Sequence, residues 1–141
     1  MVVTGRFFVL MLAISVTLAL IGEAAADPIG KNDKQVRAVA DPILDNLLAA
    51  FNAGDYAKYS RDFDPTLREA MPEEKFRKVT EELLQKIGKY KSRQYLGFLQ
   101  PNQHTDVLWK GKFSNTTGDI LIKMRVSKRK DKNVVVGLWF Q

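Results

Sequence analysis

Residues 106–127, DVLWKGKFSNTTGDILIKMRVS, decide the fold. Val107, Trp109, Gly111 and Phe113 share one parity on the first side of the central polar stretch. Ile120, Ile122, Met124 and Val126 share one on the other side. Side chains along a strand alternate between faces, so each run reads as a strand with one apolar face. A turn at Thr116-Thr117, or across 115–118, gives the same pairing, with Ser114 opposite Asp119. Phe113 then faces Ile120, Gly111 faces Ile122, Trp109 faces Met124 and Val107 faces Val126. The reverse face carries Leu108, Lys110 and Lys112 against Leu121, Lys123 and Arg125. This is the pattern of a one-sided antiparallel sheet. Helices should cover the Trp109/Met124 face, and the lysine face should meet water or a partner. Lys110 falls opposite Lys123, which is unfavourable unless something compensates the two charges.

Two more strands flank this pair, at about 92–100 and 134–140. Pro101-Asn102 and the 128–133 run separate them from it. Short links imply an antiparallel meander. The last strand does not orient itself, because Val134, Val135 and Val136 are consecutive. An even turn through Lys130-Asp131 buries Val135, Gly137 and Trp139. An odd turn buries Val136, Leu138 and Phe140.

Upstream of Gly88 the apolar period is helical. Asp41-Pro42 reads as an N-cap followed by proline at the first helical position. Ile43, Leu44, Leu47, Leu48 and Phe51 follow, and Gly54 can end the helix. Val36 and Val39 suggest an earlier start near Lys34, with Pro42 then inside. Asp55 and Asp64 cap two short helices, the second opening at Pro65. Pro72-Glu73-Glu74 opens a third main helix, whose stripe is Phe76, Val79, Leu83 and Ile87 with Leu84 beside it. Helices first and strands second is an α+β order: N-terminal helices packed on a curved four-stranded antiparallel sheet.

The first residues read as an address. Arg6 supplies a positive start, and 7–21 runs fifteen residues with only Ser15 and Thr17 as polar interruptions. Ala24 and Ala26 fit the small-x-small pattern of a signal-peptidase site, so residues 1–26 are expected to be a cleavable export signal. The competing reading is a retained anchor, for which fifteen residues fall short of the roughly 20 a spanning helix needs. A flexible lead-in at 27–33 and one domain at 34–141 complete the organisation, with no transmembrane segment after cleavage. The expected location is periplasmic or extracellular. The chain has no cysteine and a net charge of +6. Arg6 and Glu23 leave together, so the charge survives processing. Long-range attraction then favours an anionic partner. Outside the cytoplasm that points to an envelope component or another exported protein, and nucleic acid is not expected.

Three groups of residues carry a family resemblance. They are Gly54-Asp55-Tyr56 with Asp62-Phe63-Asp64, the strand Val107-Leu108-Trp109-Lys110, and Gly137-Leu138-Trp139-Phe140. With the helix-then-strand order they resemble the family catalogued as domain of unknown function 3887, in the nuclear-transport-factor-2-like superfamily. The resemblance covers roughly 36–140. It implies a cone, in which a curved sheet wraps around helices. It also implies a pocket between helix and sheet in many members, and frequent homodimers through the outer sheet face. Some members are enzymes and many are binding or accessory modules, so the resemblance carries fold further than activity.

The chemistry-bearing residues are sparse. Enzymes on such a cone place an acid or base inside it, and the predicted inner face offers none. Asp62, Asp64, Asp106 and Asp119 read as caps and turn residues, and His104 stands alone in a polar loop. No catalytic residue, metal site or cofactor is expected. Tyr56, Tyr59, Phe63, Phe76, Trp109, Met124 and Trp139 are the candidates to line a pocket for an apolar or ring-bearing ligand, or else they fill the core. Lys110, Lys112, Lys123 and Arg125 are the candidate partner surface. The sequence therefore favours an exported binding or accessory domain over a small-molecule enzyme or carrier using the cone interior.

Overall fold

The structure, a computed structural model, describes residues 26–141, so the expected export signal lies outside the described residues except for Ala26. A two-residue strand β1 (Ala26–Asp27) leads into helix α1 (Asp33–Ala53). The short helices α2 (Tyr56–Tyr59) and α3 (Pro65–Ala70) and the longer α4 (Glu73–Lys86) follow. Four long strands close the chain: β2 (Tyr90–Leu99), β3 (Thr105–Phe113), β4 (Ile120–Arg129) and β5 (Lys132–Phe140). They pair antiparallel in the order β2-β3-β4-β5 and curl into a half-barrel around the helices, the expected α+β cone.

Helix α1 takes the earlier of its two predicted starts. Asn32 caps it, its side chain accepting from the Gln35 amide at 3.0 Å, and Gly54 ends it in the left-handed region at φ 66. Pro42 lies inside and withdraws the N–H that Ala38 would accept, at a cost of about 3 kcal/mol. The helix survives because Val36, Ile43, Leu44, Leu47, Leu48 and Phe51 are all buried on its sheet side. At about 1.5–3 kcal/mol for each large apolar side chain, that burial outweighs one missing bond. Asp41 is therefore no cap, and its carboxylate turns to the sheet instead.

The central hairpin keeps its predicted faces but not its predicted partners. Trp109 pairs with Ile122, Gly111 with Ile120, Val107 with Met124 and Asp106 with Arg125. This is a slip of two residues, which preserves every inward side chain; a slip of one would have reversed them. The cause lies outside the hairpin. The end of β3 leaves β4 and stays with β2, where Phe113 pairs with Tyr90. The Ser114 and Asn115 amides then bond the Lys89 and Ile87 carbonyls at 2.8 and 2.9 Å. Lys110 consequently sits beside Leu121, and Lys123 beside Leu108. The expected lysine–lysine clash does not occur.

The last strand follows both of its predicted orientations in turn. The two-residue turn at Lys130-Asp131 pairs Arg129 with Lys132 and Val126 with Val135, which is fully buried. A bulge then inserts Val136, so that Arg125 pairs with Gly137, Met124 with Leu138 and Lys123 with Trp139. One extra residue reverses the parity beyond it. Leu138 and Phe140 join the core, and Trp139 goes to the outer face.

The lead-in at 27–33 is tied to the sheet. Asp27 pairs with Lys128, and the amide of the buried Ile29 donates to Thr105 Oγ1 at 3.2 Å. The free side of β5 is met by residues 62–64: Val135 donates to the Asp62 carbonyl and accepts from the Asp64 amide, at 2.7 and 2.9 Å. Strand β2 carries two irregularities, at Lys91 and Leu96, and Gly97 there has φ 151, which suits only glycine.

Candidate functional site

The pocket candidates separate into three groups. Trp109 and Met124 have no exposed surface, and Phe63 and Phe76 are buried. Tyr59 packs its ring against Phe76 and Phe63 at centroid distances of 4.5 and 5.3 Å, and burial pushes its hydroxyl above the ordinary tyrosine range. Tyr56 is half-buried, its ring 5.5 Å from Phe76 and its hydroxyl donating to the Met71 carbonyl at 2.8 Å. These six side chains fill the space between helices and sheet. Trp139 is the exception: the bulge at Val136 removes it from the interior, and it is 37 % exposed on the outer face.

The inner polar groups hold the helix to the sheet. Trp109 Nε1 donates to Asp41 Oδ1 at 3.1 Å, and Arg93 reaches Asp45 at 2.7 Å and Asp41 at 3.7 Å. The Tyr95 hydroxyl donates to Asp33 at 2.7 Å, and desolvation with that bond raises its pKa above the usual value. Sequence reading missed this seam, although Asp33, Arg37, Asp41 and Asp45 recur every fourth residue of α1 and so share one face.

The outer face carries all four basic candidates, with Lys123 and Arg125 beside Trp139. A lateral row crosses Gly97, Leu108, Lys123 and Trp139 on the four long strands. Lys123 Nζ lies 4.5 Å from the Trp139 ring centroid and the Arg125 guanidinium 5.8 Å from it, which is cation–π geometry. The ring lies over Gly137, where any Cβ would overlap it. The cations are not equivalent. Arg125 forms a two-bond pair with the buried Asp106 at 2.6 and 2.8 Å, and that hydrogen bond raises its pKa further. Lys112 contacts Asp119 at 2.5 Å and so pulls that carboxyl below its ordinary range. Lys110 and Lys123 have no carboxylate within ion-pair distance among the described residues. Ion-paired neighbours therefore frame an indole and two lysines that lack a direct ion pair, one of which, Lys110, still acts on Asp119 at longer range.

A separate groove of about 360 Å³ lies on α4, lined by Phe76, Thr80 and Leu84 with Gly54 at one end. Here Thr80 is buried, whereas Val79, Leu83 and Ile87 of the predicted stripe are only half-buried. Among the described residues no three potential metal ligands come together, and no helix is long and apolar enough to cross a membrane.

The family model described as protein of unknown function (DUF3887) matches residues 45–136. The chain belongs to this family. The match runs from inside α1 to the bulge in β5, and so takes in Asp45 and the strand side of the seam, the buried aromatics from Phe51 to Phe113 and the four basic residues of the outer face, but not Asp33, Arg37 or Asp41. No curated protein and no solved structure matches the chain.

Proposed function

We propose that this chain is an exported, non-enzymatic binding or accessory domain that meets its partner through the outer sheet face. The observation that carries the reading is the exit of Trp139 from the core to a place beside Lys123 and Arg125. An indole held against glycine and flanked by cations is an anchor of the kind that concentrates binding energy. Lys110 and Lys123 add positive charge that no direct ion pair among the described residues neutralises, suited to an anionic envelope component or an acidic exported protein. The same face suits a homodimer, in which the two lysines would have to meet acceptors of the second copy. A carrier or enzyme built on the cone interior would need open space among Tyr59, Phe76, Trp109 and Met124, and these are buried side chains.

The test is a pull-down and cross-linking comparison of the wild type with Lys110→Glu/Lys123→Glu and with Trp139→Ala, alongside oligomeric state by light scattering. Both variants should lose the captured partner or the dimer while keeping the wild-type circular dichroism. Retention of every contact in both would remove the outer face from consideration.

A further inference from the structure

A second basic feature stands at the opposite end of β4 from the 114–119 turn. The β4–β5 turn reads Lys128-Arg129-Lys130-Asp131-Lys132. Lys128, Lys130 and Lys132 are exposed. None of the three is within ion-pair distance of a carboxylate among the described residues, whereas Arg129 is taken by Asp64 at 3.0 Å. Asp131 in the turn and Asp27 across from Lys128 are the nearby acids. The outer-face cations lie elsewhere, on β3 and the middle of β4.

The chain enters the fold at this turn. Ala26 pairs with Arg129 and Asp27 with Lys128. Since Lys132 and Asn133 of β5 occupy the other side of the same residues, β1 lies in the lane that β3 fills further along. The apolar run 7–21 ends only five peptide steps before Ala26. Five steps of extended chain reach about 18 Å at most. Before cleavage, whenever the apolar run is in a bilayer, the turn paired with Ala26 is therefore held within about that reach of the bilayer surface. Charge attraction to anionic headgroups acts over about one Debye length, near 10 Å at moderate salt.

We infer that the β4–β5 turn is a docking contact for an anionic bilayer, which seats the domain on the membrane surface in the uncleaved chain, while residues 1–26 still hold it there. It uses the export reading of residues 1–26 and is independent of the outer face. Each lysine held at such a surface strengthens the contact about fivefold, so three bring it into the range of a hundredfold.

The cysteine-free full chain permits a local readout. A fluorophore is placed at Asp131→Cys or, at the far end of the sheet, at Thr117→Cys. The chain is reconstituted in vesicles whose headgroups carry a quencher. In phosphatidylglycerol-rich vesicles the label at 131 should be quenched and that at 117 spared. Quenching at 131 should fall in phosphatidylcholine vesicles, in high salt, and at least tenfold in apparent affinity in Lys128→Glu/Lys130→Glu/Lys132→Glu. The triple Lys→Gln variant serves if the reversal impairs folding. Equal quenching at both positions, or quenching at 131 indifferent to lipid charge and to the lysines, would overturn the inference. So would loss of quenching in Lys110→Glu/Lys123→Glu alone, which would transfer bilayer contact to the outer face. Failure of the turn variants leaves partner capture by the outer face to be judged by its own pull-down.

Discussion

The indole nitrogen of Trp109 donates to Oδ1 of Asp41 across 3.1 Å, joining the fully buried centre of β3 to the residue before Pro42. An unpaired N–H at that depth costs about 1–3 kcal/mol. Asp41 also receives Arg37 at 3.0 Å along the same helix face, where Arg37 lies over the Tyr95 ring. Asp41→Ala should therefore lose about 2–4 kcal/mol of stability in chemical denaturation. Asp41→Asn keeps an acceptor for the indole and should lose about 1 kcal/mol. Equal losses would mean that the charge, and not the acceptor, matters.

The bulge in β5 makes a deletion prediction. Removing Val136 would let Val135, Gly137, Leu138, Trp139 and Phe140 alternate without interruption, each on its present face. That variant should fold with a modest loss of stability and keep Trp139 accessible to a soluble fluorescence quencher. Deleting Lys123 from β4 instead has no bulge to absorb it beside β3 and would reverse half the strand. It should not give a cooperative unfolding transition. A cooperative Lys123 deletion, or an unfolded Val136 deletion, would contradict the register.

Asp106 and Arg125 are cross-strand partners, and the carboxylate is the more buried of the two. Removing one partner of such a pair is worse than removing both, because it strands a buried charge. Arg125→Met should cost about 3 kcal/mol, and Asp106→Leu/Arg125→Met should recover part of it. A double variant no better than the single would argue that the pair itself stabilises the sheet.

The Lys112–Asp119 contact gives a pH dependence with a defined sign. Its hydrogen bond to Lys112 depresses the folded-state pKa of Asp119. The stabilisation is therefore present above the ordinary aspartate range and is lost as pH falls through the depressed value. Lys112→Gln should move the Asp119 titration, followed by carboxyl NMR, upward towards its usual position. An unchanged titration would show that Lys112 is not the cause.

The sequence exposes what is local and periodic. The faces of β3 and β4 follow from alternation alone, and that alternation survives a two-residue slip. The register was hidden because it depends on β2: Phe113 chooses Tyr90, a residue far away in sequence. The place of Trp139 was hidden because three consecutive valines give no sign of which one is extra. Asp41-Pro42 misled for a different reason. The dipeptide is the same whether the aspartate caps a helix or reaches for an indole, and only the burial of Val36 and Ala40 before it decides. The four basic candidates were legible as a cluster, but their pairing with Asp106 and Asp119 was not, since that needs the true register.

The two sides of the curled sheet have unequal exposure to other chains. On β5, the stretch at Val135 already has a neighbour in residues 62–64. On β2 the Asn52 side chain bonds the N–H and C=O of Tyr90 at the start of the strand, while the far end carries Leu96 and Leu99, 53 % and 62 % exposed. Its two irregularities and the left-handed Gly97 break the straight row of donors and acceptors that an incoming strand would need. A protein without disulfides to hold it closed is thereby guarded against growing into a fibril from the exposed end of β2. Replacing the irregular β2 segment by a regular strand would trade that protection for a template.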